Sequence, residues 1–162
     1  MIEGNIAVFP NNIVEVCAVN MKFIDTDIPV IKRRLYSTDP VQCLGVAAQM
    51  WTPDPQSYEM RGPAMAGVAT ISRYDLQFQA MIRDMDEERG MRAHAELTTR
   101  LQRFIMGDSM LRGALHGLSS NLYGVHESLK KWTIENSRYL SEEVSGEHIY
   151  LSTTTVRYET ET

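Results

Sequence analysis

ISRYDLQFQAMIRD, residues Ile71–Asp84, alternates two kinds of side chain with a period of two. Tyr74, Leu76, Phe78, Ala80 and Ile82 occupy one set of positions, and Asp75, Gln77, Gln79 and Met81 the other. Successive side chains of an extended chain point to opposite faces, so the pattern predicts a half-buried strand. The period then changes. Asp84-Met85-Asp86-Glu87-Glu88 places negative charge where a helix N-terminus favours it, and Leu97, Leu101, Phe104 and Ile105 follow at helical spacing. A helix is predicted from Asp86 to Met106, closed by Gly107-Asp108.

Further along, Leu111, Leu115 and Leu118 suggest another helical turn or two before Ser119-Ser120-Asn121 breaks the pattern. Three strands are then expected: Leu122–Leu129, Trp132–Leu140 with Trp132, Ile134 and Leu140 on one face, and His148–Glu161. Lys130-Lys131 and Ser141–Gly146 are read as the separators. The last segment, IYLSTTTVRYETET (Ile149–Thr162), is rich in β-branched residues. A strand of that length must pair within its own sheet or with a neighbouring subunit, or it exposes an unpaired edge.

The first half is less regular. Val41–Trp51 is apolar and bounded by prolines, which fits a buried strand. Thr52–Ala66 carries Pro53, Pro55, Gly62 and Pro63 and is expected to be a loop reaching outward. Before it, Ile6–Phe9, a turn at Pro10-Asn11-Asn12 and an alternating stretch Ile13–Phe23 read as extended elements. Pro29–Tyr36 reads as a short helix stopped by Asp39-Pro40, with Lys32-Arg33-Arg34 toward its C-terminus. The expected fold is a single α+β domain over residues 1–162: a mostly antiparallel sheet packed on one long helix plus a short helix, with a projecting loop at 52–66.

A chain of 162 residues can bury a core without staples. Its hydrophobic share of 43% and charged share of 23% favour neither disorder nor a membrane class. The formal charge of −5 argues against a duplex reader, which needs a basic footprint to displace counterions. It fits a surface past which DNA slides without sticking. Met1–Pro10 lacks the basic start and apolar run of a signal peptide, so a cytoplasmic protein is expected. Cys17 and Cys43 are too few and too irregular for a disulfide framework or a zinc site, and are expected to be buried thiols.

No catalytic pattern emerges. His94, His116, His126 and His148 never sit at ligand spacing with a Cys or carboxylate. His126-Glu127 and Glu147-His148 are neighbours whose side chains would leave a strand on opposite faces. Glycine-rich phosphate loops and a nucleophile elbow are absent from the sequence. The acidic run Asp84–Glu88 is explained more cheaply by a helix start than by calcium. Met81, Met85, Met91 and Met106 lie in or beside periodic segments and can fill a core. The chain is therefore expected to be no enzyme, with no catalytic residue, no metal site and no cofactor.

The strand ISRYDLQFQAMIRD, the acidic start DEERG (Asp86–Gly90), HAELTTRLQRFIMGD (His94–Asp108), LRGALHGLS (Leu111–Ser119) and the ending IYLSTTTVRYETET together resemble the tail terminator proteins of long non-contractile-tailed bacteriophages, especially those infecting actinobacteria. The likeness covers Ile71–Thr162; in the first half only VFP (Val8–Pro10) and AAQMWTP (Ala47–Pro53) match, and loosely. It implies a virion protein of the tail and neck region, assembled in the host cytoplasm, that forms a homo-oligomeric ring, expected to be a hexamer. Such a ring caps the tail tube, stops its polymerisation and offers a docking face to the head-side connector or head-completion protein. Its partners would be itself, the major tail tube protein and that connector, with no membrane, and DNA would pass through unread. Under this resemblance the loop and the terminal strand are the expected contact surfaces, carried by Trp51, Tyr58, Met60, Arg61, Thr153, Thr155, Arg157, Glu159 and Glu161.

Other readings remain open from the residues. A neighbouring neck or head-completion protein shares the setting. A stand-alone cytoplasmic binding domain would use the apolar loop around Met50, Trp51 and Tyr58 as a pocket. An enzyme assembled from distant residues would leave no local motif.

Overall fold

The structure, a computed structural model, describes residues 9–48, 59–61, 69–107, 119–122 and 125–161. The alternating stretch forms strand β4 (Ala69–Asp84), the helix after it is α2 (Glu87–Gly107), and the final strand is β7 (Glu147–Glu161). Around them lie α1 (Phe9–Met21), β1 (Val30–Ile31), β2 (Gln42–Ala48), β3 (Glu59–Arg61), β5 (Ser119–Leu122) and β6 (Val125–Val144). The seven strands form one sheet in the order β1-β2-β4-β7-β6-β5. β3 joins β4 on the β2 side, since Ile71 pairs with Glu59 on one edge and with Glu161 on the other. β1 runs parallel to β2, and every other strand pair among the described residues is antiparallel. The chain is thus an α+β domain with a mostly antiparallel sheet on a long and a short helix.

Both helices cover the same face. Leu76, Phe78, Ala80 and Ile82 of β4, and Val156 and Tyr158 of β7, are buried against Leu97, Leu101, Phe104 and Ile105 of α2 and Ile13, Cys17 and Met21 of α1. Tyr158 stacks on Tyr74 and Trp132 at centroid distances of 5.2 and 6.4 Å, and Phe78 meets Phe104 and Trp132 edge-on at 6.4 and 6.1 Å. Asp86 caps α2: its carboxylate accepts the Arg89 backbone N–H at 2.9 Å. The Arg89 guanidinium donates twice to Asp84, at 2.7 and 2.8 Å, and holds that carboxyl down at about 2. The acidic run is thus occupied in starting the helix.

Residues Ile13–Met21 correct the expectation of an extended stretch. Ile13, Cys17, Ala18 and Met21 are buried at the spacing of one helix face, and Pro10 lies in the first turn of α1, where its missing N–H costs nothing. Alternating valines fit both periods over so short a run, and the packing against β2 selects the helix.

Pro29–Tyr36 is likewise not a helix. Val30 and Ile31 pair with Leu44 and Gly45, and residues 32–41 cross the sheet face that the helices leave open. Side chains satisfy this backbone: Leu35 N–H donates to the distant Gln79 Oε1 at 2.8 Å, and Tyr36 N–H to the nearby Asp39 Oδ2 at 2.6 Å. Arg33 closes on Asp39 with bonds of 2.6 and 2.8 Å, which pulls the Asp39 carboxyl down to about 2. Leu35 then packs with Cys43, Met81 and Ile149 in a second small core. Gly45 permits the crossing, because a Cβ there would lie 2.9 Å from Leu35 Cγ and 3.0 Å from the Arg33 carbonyl oxygen. Cys17 and Cys43 are buried free thiols, and burial raises both, Cys43 to about 11.

The last three strands divide differently from the sequence reading. β6 is continuous through Lys130-Lys131 and Ser141–Val144. It absorbs irregularity as register shifts at Leu129/Lys131 and Ile134/Asn136. The second shift reverses the phase of the side chains. Trp132 and Ile134 pair with Tyr158 and Val156 on the helix side, whereas Leu140 pairs with Leu151 on the open side. Leu140 therefore does not share a face with Trp132 and Ile134. The turn to β7 is the pair Ser145-Gly146, at φ of 54° and 81°, the geometry of a tight primed hairpin turn. The helical turns expected at Leu111–Leu118 lie outside the described residues.

Candidate functional site

The terminal strand is the best-paired element of the sheet. β7 bonds to β4 from Ile71 to Asp84 on one edge and to β6 from Ser128 to Val144 on the other. Its edges are therefore closed to any neighbour, and only one face is left. Ser152, Thr154, Val156, Tyr158 and Thr160 point under the helices, and Thr153, Thr155, Arg157 and Glu159 point to the open side. Glu161 ends the strand opposite Ile71 and Ser128.

On that open side the residues group by cross-strand pairs. Arg73 bonds Glu159 at 2.9 Å, Arg157 bonds Asp75 at 3.0 Å, and Gln79 bonds Thr153 at 3.1 Å. Each pair joins directly opposed positions of β4 and β7. Between the crossing segment and β6 this face hollows into a groove of about 520 Å³. Arg34, Arg138 and Arg157 enter it with Asp75 and Glu135, over a floor that includes Gln77 and Thr155. Asp75 neutralises Arg157, whereas no carboxylate reaches Arg34 or Arg138 within ion-pair distance among the described residues. Two unmatched arginines against one glutamate leave the groove positive.

Of the residues singled out in the sequence, the structure thus brings Thr153, Thr155 and Arg157 into one groove and pairs Glu159 beside it. Met60 and Arg61 lie in β3, opposite Thr70 and Ala69, so part of the expected 52–66 loop is a strand. Trp51 and Tyr58 lie outside the described residues, as does the rest of that loop. Sequence reading missed Arg34, Asp75, Glu135 and Arg138. Asp75 was visible in the polar half of the β4 alternation, but the arginines come from an irregular segment and from a strand whose phase is reversed by a bulge.

β6 is the counterpart of β7. β5 pairs only with Val125–Ser128, and beyond Leu129 no strand bonds to the outer edge of β6 among the described residues. Along that edge Ile134, Tyr139, Leu140 and Val144 are 37%, 62%, 55% and 46% exposed. Lys131, Glu135, Arg138, Glu142 and Glu143 are interspersed with them. The open length, residues 129–144, corresponds to about 50 Å of strand.

One buried constellation has the residue types of chemistry. His94 Nε2 lies 3.3 Å from Thr98 Oγ1, which lies 3.0 Å from Ser152 Oγ, and the His94 ring stacks on Tyr150 at 5.9 Å. Burial lowers the His94 pKa, partly offset by a hydrogen bond to the Ala80 backbone. All three polar residues are at most 8% exposed. The group seats α2 on β7 and offers a solute no approach. Among the described residues no three His, Cys, Asp or Glu side chains converge as metal ligands, and no helix is long and apolar enough to cross a membrane.

Comparison with protein-family models and with curated sequences finds no match to this chain.

Proposed function

We propose that this chain is a structural subunit of a homo-oligomeric ring of the tail terminator kind, expected to be a hexamer, which caps a phage tail tube and presents a docking face to the head-side connector. The observation that carries this reading is the open outer edge of β6. Long unpaired edges with exposed apolar side chains pair with other chains unless something covers them. The opposite end of the sheet is built differently, from the short β1, β2 and β3, so the two ends are unlike surfaces. A contact between unlike surfaces of identical chains is head-to-tail and closes into a ring when its rotation allows.

The charges along β6 favour this over indiscriminate pairing, because each charged position restricts the registers a neighbour can adopt. The net charge of −5 suits a passage through which DNA moves without being held. The resemblance of Ile71–Thr162 to tail terminators supports the same setting, a virion neck, and in this reading the chain is a building block and no catalyst.

Adding the purified protein to tail tube protein as it polymerises tests the reading. Tubes should stop growing, with the protein at one end by electron microscopy. Undiminished elongation sinks the terminator assignment, and binding to the head-side connector instead assigns the chain to a neighbouring place in the neck.

A further inference from the structure

The β6–β7 hairpin ends in an acidic tip. Glu142 and Glu143 are exposed and have no cationic partner within ion-pair distance among the described residues, while Glu147 is bonded to Arg83 at 3.2 Å. The groove on the same molecule has the opposite surplus, from Arg34 and Arg138. The two cannot meet within one chain. Tip and groove lie on one hairpin, where Arg138 and Glu142 are four residues apart on the same face of β6, about 13 Å of extended strand and beyond ion-pair reach. The tight Ser145-Gly146 turn and the continuous β6–β7 pairing leave no hinge by which the tip could fold back.

Resting on the ring reading above, we infer that the Glu142-Glu143 tip of each subunit docks into the Arg34–Arg138 groove of the next. The occupant is thus a second copy of this chain. Unmatched charges of opposite sign that cannot reach each other within one chain are what a head-to-tail contact requires, and each copy then gives one tip and receives one. Exposed Leu140 and Val144 flank the two glutamates, so the tip also brings apolar surface to be covered. The crossing segment is the wall that makes this a groove and not an open sheet face, because it supplies Arg34 on the side away from β6.

The test mixes two charge-reversed proteins. One carries Arg34→Glu with Arg138→Glu and so has an acidic groove; the other carries Glu142→Arg with Glu143→Arg and so has a basic tip. Assembly is read by sedimentation and native mass spectrometry alongside the wild type. Each variant alone should lose its rings, with the concentration for half-assembly rising about tenfold or more, because like charges meet. Mixed in equal amounts they should assemble again. An altered tip then meets an altered groove and a native tip a native groove, giving strictly alternating rings with even numbers of subunits.

All four side chains are exposed, so melting curves should match the wild type. If a reversal does unfold, the milder Arg138→Gln and Glu142→Gln proteins should each assemble more weakly than the wild type, and unchanged assembly by both overturns the contact. Rings from either reversed variant alone, at wild-type concentrations, overturn the tip-in-groove contact and leave the ring reading standing. A wild-type protein that stays monomeric at every concentration and on tube ends overturns both.

Discussion

β6 and β7 are two strands of one hairpin, joined by two residues, yet they occupy opposite extremes of the sheet. β7 has both edges bonded and one whole face sealed beneath the helices, with Val156 and Tyr158 at 0% exposure. β6 has its outer edge bonded only at Val125–Ser128 among the described residues, and from Ile134 to Gly146 every residue is exposed. The difference is not one of β propensity, since both strands carry β-branched and aromatic residues. It comes from position: β7 lies between β4 and β6, whereas the sheet all but ends at β6. The lesson is that a strand's place in the strand order decides whether its side chains stabilise the fold or remain for a partner.

Four perturbations of stability and one of pH would break or sharpen that contrast. The largest effect is expected from removing Thr153–Thr162, which takes out most of the central strand; it should abolish the folded state, visible as loss of the cooperative thermal transition. A truncated protein that still melts cooperatively would show β7 to be dispensable. Next, Phe78→Ala on the sealed face should cost about 3–5 kcal/mol by urea denaturation, from the lost apolar contact and the cavity left between Trp132 and Phe104.

On the open face, Gly45→Ala should cost about 1–3 kcal/mol, because the new methyl meets Leu35 and the Arg33 carbonyl oxygen under the crossing segment. An unchanged denaturation midpoint would show the crossing to be loosely held. Asp39 and Asp84 extend the test to pH. Their carboxyls sit at about 2 in the folded protein, below the ordinary 3.8, so the stability they contribute is intact above that ordinary value and is lost as pH falls through about 2. Stability followed down this range should decline less steeply in Asp39→Asn than in the wild type. The smallest effect belongs to β6: Leu140→Ser should change stability by no more than about 0.5 kcal/mol, and a larger loss would mean that the strand is structurally used in the isolated chain.

Much of the second half was legible. β4 and α2 announce themselves because one residue period persists for three or more turns or pairs, and competing periods fail over that length. β2 was legible as an apolar run between prolines. α1 was misread because Ile13–Val19 satisfies both periods, and only contact with β2 separates them. The crossing segment was misread because its Leu35 N–H is satisfied by Gln79, 44 residues away, a partner that local propensity does not contain. At the site, Thr153, Thr155 and Arg157 were visible as one strand's alternate residues. Arg34 and Arg138 were not, since they come from segments far apart in the chain.

The sequence by itself determined the α+β class, the strand β4 followed by the helix α2, the terminal strand, and the absence of a local catalytic motif. These follow from periodicity and residue type, which are properties of neighbours along the chain. Tertiary structure alone decided that the terminal strand is central and its partner open, that a bulge turns Leu140 away from Trp132, and that two unmatched arginines share a groove. Strand order, register and the meeting of distant side chains are set by long-range pairing and packing, whose energies depend on contacts that no short window of sequence contains.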